Sequence, residues 1–153
     1  MKRTIIFVLI TVLLLAMSPA YASDAVTNVE YLGDGSRYVT IIETVPTDAA
    51  QPFSTNTVTK SKTTYFENAS GERMWYVRVT GTFTYGNGTA KCTSSTPSAA
   101  ATASTWKVSN ISGSKSGNKA SATATGKQYY DGSVIDTKTK TVTLTCSPSG
   151  VFS

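Results

Sequence analysis

The stretch W-Y-V-R-V-T-G-T-F-T-Y-G-N-G-T-A-K-C, Trp75 to Cys92, leaves little freedom in how it folds. Trp75, Val77, Val79, Gly81, Phe83 and Tyr85 recur at every second position, with Met74, Tyr76, Arg78, Thr80, Thr82 and Thr84 in the alternate phase. Side chains of a strand alternate between its faces, so the first set reads as a core face and the second as a polar one. Asn-Gly suits a two-residue hairpin turn because both turn positions need positive φ. Turning at Asn87-Gly88 pairs Gly86 with Thr89, Tyr85 with Ala90, Thr84 with Lys91 and Phe83 with Cys92. Cys92 then falls on the apolar face, whereas a slip of one residue would put it among the threonines.

A second hairpin supplies the partner. Val142, Leu144 and Cys146 alternate with Thr141, Thr143 and Thr145, and Ala120, Ala122, Ala124 and Gly126 form a face of small residues on the preceding strand. Such smallness implies close approach of something bulky, and Trp75 and Trp106 are the candidates. A three-residue loop within Tyr130-Asp131-Gly132-Ser133 sets Ala122 beside Val142 and Ala120 beside Leu144, and is preferred to a two-residue loop for that reason.

No sustained helical period occurs after the N-terminus. Turn signals at Gly33-Asp34-Gly35, Pro46, Asn68-Ala69-Ser70-Gly71, Asn87-Gly88, Ser116-Gly117-Asn118 and Asp131-Gly132 leave strands near 38–43, 57–66, 74–85, 90–94, 105–111, 119–129 and 134–146. Short strands between regular turns predict an all-β fold, a single antiparallel β-sandwich or barrel-like domain of about seven strands. Residues 23–29 read as a loose start, and T-S-S-T-P-S-A-A-A-T-A-S-T, 93–105, as a long surface connection.

The N-terminus predicts the compartment. Met1-Lys2-Arg3 is basic, 5–17 is apolar apart from Thr11, and Ala20-Tyr21-Ala22 has the small-x-small pattern of a signal peptidase site. The apolar run is short for a bilayer span of roughly 20 residues. The expected organisation is therefore a secretory signal peptide at 1–22, an N-terminal segment with an early strand at 23–54, and a core domain at 55–153. The mature chain is expected to carry no transmembrane segment and to be secreted, free or associated with the cell wall. Cys92 and Cys146, an even pair in an oxidising compartment, are expected to form one disulfide. Closing that loop would contribute about 4 kcal/mol.

The chemistry available is narrow. With no histidine the Ser-His-Asp arrangement is absent, and no C-x-x-C or acidic cluster offers a metal its ligands. Glu67 with Glu72 and Asp131 with Asp136 are the carboxylate pairs that could act on a glycosidic bond, but both flank turns, where such residues belong for conformational reasons. No catalytic residue, cofactor or metal is expected, and the chain reads as a non-enzyme. Past the signal, twelve basic residues face nine acidic ones, with the excess of charge after Arg73. That is too mild for nucleic acid and suits weak attraction to an anionic surface.

Tyr76, Arg78 and Thr80, with Tyr129, Tyr130, Lys138 and Lys140 near the second hairpin, form a candidate binding face. Exposed aromatics beside hydroxyls and cations can stack on sugar rings and hydrogen-bond their hydroxyls. Threonine and tyrosine are also simply good strand residues. The T-K-T-K-T-V-T-L-T run from Thr137 resembles the threonine ladder of an ice-binding surface, but lacks the repeat that builds a flat lattice. The three N-x-S/T sequences at Asn68, Asn87 and Asn110 read as turn chemistry.

Two resemblances bear on this reading. Cys92, Trp106 and Cys146 approach the Cys…Trp…Cys spacing of immunoglobulin domains, but Leu144 stands where a tyrosine corner needs Tyr and several strands precede Cys92. The run from Trp75 through C-T-S-S, with Trp106, S-G-N-K-A-S-A-T-A-T-G-K-Q-Y and T-K-T-K-T-V-T-L-T-C-S-P-S-G, resembles a family of small secreted proteins of Gram-positive bacteria, chiefly clostridia, catalogued as a domain of unknown function. The likeness covers about 55–153 and implies a signal peptide, an extracellular destination and a β-rich fold, with no catalytic residues. The function expected is that of a secreted binding module at the bacterial surface, its partner a cell-wall polymer, a glycan or a surface protein. The alternative is a secreted antagonist: bacteriocin-like, toxin-like or an inhibitor.

Overall fold

The structure, a computed structural model, describes residues 25–45 and 55–153; the expected signal peptide and its Ala20–Ala22 cleavage site lie outside them. Among the described residues there are eight strands and no helix. β1 (Ala25–Tyr31), β2 (Arg37–Thr44), β3 (Asn56–Glu67), β4 (Arg73–Gly86) and β5 (Thr89–Ala101) form one antiparallel sheet in sequential order. β6 (Trp106–Ser116), β7 (Lys119–Tyr130) and β8 (Ser133–Thr145) form the second. The two pack face to face as a β-sandwich.

The Asn87-Gly88 hairpin has the register read from the sequence, Phe83 opposite Cys92, with φ of 50° at Asn87 and 75° at Gly88. Trp75, Val77, Val79 and Phe83 are buried and meet Ala120, Ala122, Ala124, Val142 and Leu144 of the other sheet. Ala122 does lie beside Val142 and Ala120 beside Leu144, but by a different route from the expected three-residue loop. Asp131-Gly132 makes a two-residue turn, and a bulge at Ile135 then shifts the register by one. Bulge and turn together reproduce the pairing that the longer loop would have made.

Two segments expected to be irregular are strands. The "loose start" is mostly β1, hydrogen-bonded to β2, and the "surface connection" is paired with β4 as far as Ala101. Bulges explain both misreadings. At Thr27 the register shifts between Val26 opposite Ile41 and Asn28 opposite Thr40, which breaks the period of two. At Thr93 it shifts between Cys92 opposite Phe83 and Ser94 opposite Thr82. Pro97 is accommodated because β5 is an edge strand, and its ring fills the space over Gly113 of β6.

The expected disulfide is corrected: Cys92 and Cys146 are buried free thiols. Each donates its S–H to a nearby carbonyl, Cys92 to Ser94 at 3.1 Å and Cys146 to Ser147 at 3.3 Å. The tie a disulfide would supply is made through the β6–β7 turn, whose Gly117 and Asn118 carbonyls accept from the Cys92 N–H at 2.8 Å and the Cys146 N–H at 3.0 Å. Burial pushes both thiols up, so they stay protonated.

Candidate functional site

β8 runs along the open edge of the sandwich, and its alternation decides what lines that edge. Val142 and Leu144 are buried inward, while Thr139, Thr141 and Thr143 point out and pair with Thr125, Thr123 and Ser121 at 2.9, 2.7 and 2.9 Å. Lys138 and Lys140 continue the inward phase beyond the core. They meet acids of the opposite sheet rather than solvent. Lys140 Nζ lies 2.5 Å from Glu30 Oε2 on β1 and 4.1 Å from the Tyr38 ring centroid. Lys138 Nζ sits 3.2 Å from Asp136 Oδ2 and 3.6 Å from Asp34 Oδ2 in the β1–β2 turn.

Both acidic partners of Lys138 line a cavity of about 250 Å³ at one end of the sandwich. Asp34 and Ser36 enter it from the β1–β2 turn, Phe66 from the end of β3, Trp106 from the start of β6, and Gln128 and Asp136 from β7 and β8. Phe66 and Trp106 make an aromatic wall, ring centroids 5.2 Å apart at 56°. Trp106 is only 4% exposed, yet among the described residues its indole Nε1–H has no hydrogen-bond partner. Trp75 Nε1 and Ser95 Oγ are likewise without a partner among the described residues, but of the three only Trp106 lines the polar cavity, where its donor can meet an acceptor. Asp34 accepts from the Ser36 hydroxyl and from its N–H at 3.0 Å, and these bonds, aided by the Lys138 charge, hold its carboxyl below the usual range. Asn68 is occupied by its own turn, accepting from Ser70 and Glu72 N–H and donating to the Glu72 carboxylate. Trp106 Nε1 has no partner among the described residues and Gln128 adds an amide, while Asp136 shares the Lys138 ammonium with Asp34 and keeps one carboxylate oxygen clear of it.

The residues expected to share one binding face are divided among three places. Tyr76, Arg78 and Thr80 lie on the outer face of the five-stranded sheet, already engaged with neighbours. Arg78 Nε donates to Thr63 Oγ1 at 2.7 Å and its guanidinium lies 3.2 Å from Glu43 Oε2; Thr80 pairs with Ser61 at 2.8 Å; Tyr76 packs on Tyr65 at 5.9 Å. Tyr130, 74% exposed, sits at the tip of the β7–β8 hairpin, and Tyr129 faces Lys107, whose Nζ is 4.9 Å from its ring centroid. Lys138 and Lys140 are at the inter-sheet edge. The carboxylate pairs are likewise engaged: buried Glu67 is held by Arg37 at 2.7 Å and Arg73 at 3.6 Å, and Asp131 forms the hairpin turn at φ 46°.

Compared with known proteins, the chain matches no family model, no curated protein and no solved structure. The end cavity is therefore read from its own chemistry. Its members were missed in the sequence because five strands and two turns contribute them. A weak signal was present: Asp136 and Lys138 occupy the same phase as Val142 and Leu144, so they had to face the other sheet.

Proposed function

We propose that the protein is a secreted, non-enzymatic binding module of the bacterial surface whose end cavity receives a sugar unit of a glycan or cell-wall polymer. The observation carrying this reading is the buried Trp106 indole N–H without a partner, beside Gln128 and Asp136 and against the Phe66 ring. An indole donor, an amide and a carboxylate suit the hydroxyls of a sugar, and the buried Phe66 and Trp106 rings form the apolar floor beneath them. Export is supported by the basic, apolar and A-x-A succession at 1–22, and a Gram-positive source by the motif resemblance over 55–153.

Retention of the mature chain on purified cell wall, peptidoglycan and immobilised glycans at low salt tests the proposal. Trp106→Phe keeps an aromatic side chain but removes the donor, and is expected to weaken retention about five- to tenfold. No retention of the parent on any support, or equal retention of Trp106→Phe, overturns it.

A further inference from the structure

A second opening lies further along β8, between that strand and the inner faces of β1, β2 and β3, with a volume of about 390 Å³. Lys62 projects into it. On β3 this residue is in register with Ile42 of β2 and Val79 of β4, in phase with the apolar face of the sheet. Among the described residues no carboxylate lies within ion-pairing distance of its ammonium, and no acceptor is hydrogen-bonded to it. The neighbouring cation, Lys140, is neutralised by Glu30. Ile42, Val142 and Phe152 supply apolar wall, and the Thr64 hydroxyl, 2.9 Å from that of Thr40, supplies polar lining.

We propose that this cleft binds a small organic carboxylate, its anionic group on Lys62 and its body against Ile42, Val142 and Phe152. A half-buried cation without a counter-ion is costly, and burial alone pushes Lys62 below the ordinary lysine range. An anion seated there restores the charge balance and offsets the cost. An organic anion is favoured over inorganic phosphate because only its body can use the apolar wall; Lys60, on the same face of β3 with its Nζ 5.1 Å from the Phe152 ring, adds a second cation without an ion pair among the described residues. This assignment is independent of the Trp106 cavity and holds whether or not that cavity takes a sugar.

The test follows the lysine side-chain signals of the full mature chain by NMR, with sodium D-glucuronate, D-glucose and inorganic phosphate as probes. Glucuronate is expected to shift Lys62 and the Ile42 and Val142 methyls saturably and to raise the pH at which Lys62 titrates, with Glu30, Lys60 and Lys140 the other charged side chains facing it; glucose leaves these signals in place. Lys62→Met is expected to weaken glucuronate binding about tenfold or more. The parent's Lys62 titration with and without glucuronate needs no variant, so it decides the matter even if Lys62→Met fails to fold. No saturable shift with glucuronate, equal binding to Lys62→Met, or tighter binding of phosphate than of glucuronate each overturns the proposal.

Discussion

Gly126 of β7 lies against the indole of Trp75 of β4, so close that a Cβ on the glycine would stand 2.5 Å from Cε2 and 2.7 Å from Nε1 of the ring. Trp75 is itself wedged among Tyr38, Phe66 and Trp106, with ring centroids 6.2 to 6.5 Å away, and cannot retreat without moving that cluster. Gly126→Ala is therefore expected to destabilise the fold by about 1–3 kcal/mol through overpacking. Urea denaturation measures the loss, and near-UV circular dichroism reports the displaced indole. An alanine variant as stable as the parent would show that the sheets separate more easily than this contact implies.

The two cysteines make a prediction about counting. Dithionitrobenzoate should find two thiols per unfolded chain and react slowly with the native one, since both sulfurs are buried and protonated. A count of zero after unfolding without reductant contradicts the free-thiol arrangement.

Tyr38 sets an alkaline limit. Burial, reinforced by the charges of Glu30, Asp136 and Asp34, pushes its phenol up to about 12. Between the ordinary tyrosine value of about 10 and that value, the unfolded chain loses a proton that the native chain keeps. Stability is thus fully present below about pH 10 and declines as pH rises toward 12. Tyr38→Phe should flatten this decline, measured as urea midpoints from pH 9 to 12; identical slopes for parent and variant count against the assignment.

Lys62 acts in the opposite sense. Its folded value lies below the unfolded one, so the native chain binds fewer protons between the two, and stability rises with pH through that window. Lys62→Met removes a desolvated cation and should stabilise the ligand-free protein at pH 7, an advantage that fades as pH rises toward the ordinary lysine value of about 10.5. Destabilisation at pH 7 would indicate that the ammonium has an anionic partner.

Comparison of particular residues shows what the sequence made legible. The pairing of Phe83 with Cys92, and of Ala122 with Val142, could be read because in each hairpin only one register keeps the apolar residues on one face. β1 and most of β5 could not, because single extra residues at Thr27 and Thr93 invert the phase on which such reading depends. Pairing Cys92 with Cys146 followed from compartment and even number, neither of which carries geometry. The end cavity was invisible for a related reason: Asp34, Phe66, Trp106 and Gln128 are strangers in sequence, brought together only when the sheets close.

The sandwich is bound along one side like the spine of a book. On that side the chain itself crosses from β5 to β6, the Cys92 N–H bonds to Gly117, and the Lys115 ammonium reaches the Thr93 carbonyl at 2.5 Å. On the other, the polar ties between the covers are charged pairs, Lys138 with Asp34 and Lys140 with Glu30, which salt weakens and backbone hydrogen bonds largely escape. Ionic strength should consequently loosen those two ties at the fore-edge, where Lys62 lies, while the spine and the buried core between the covers hold.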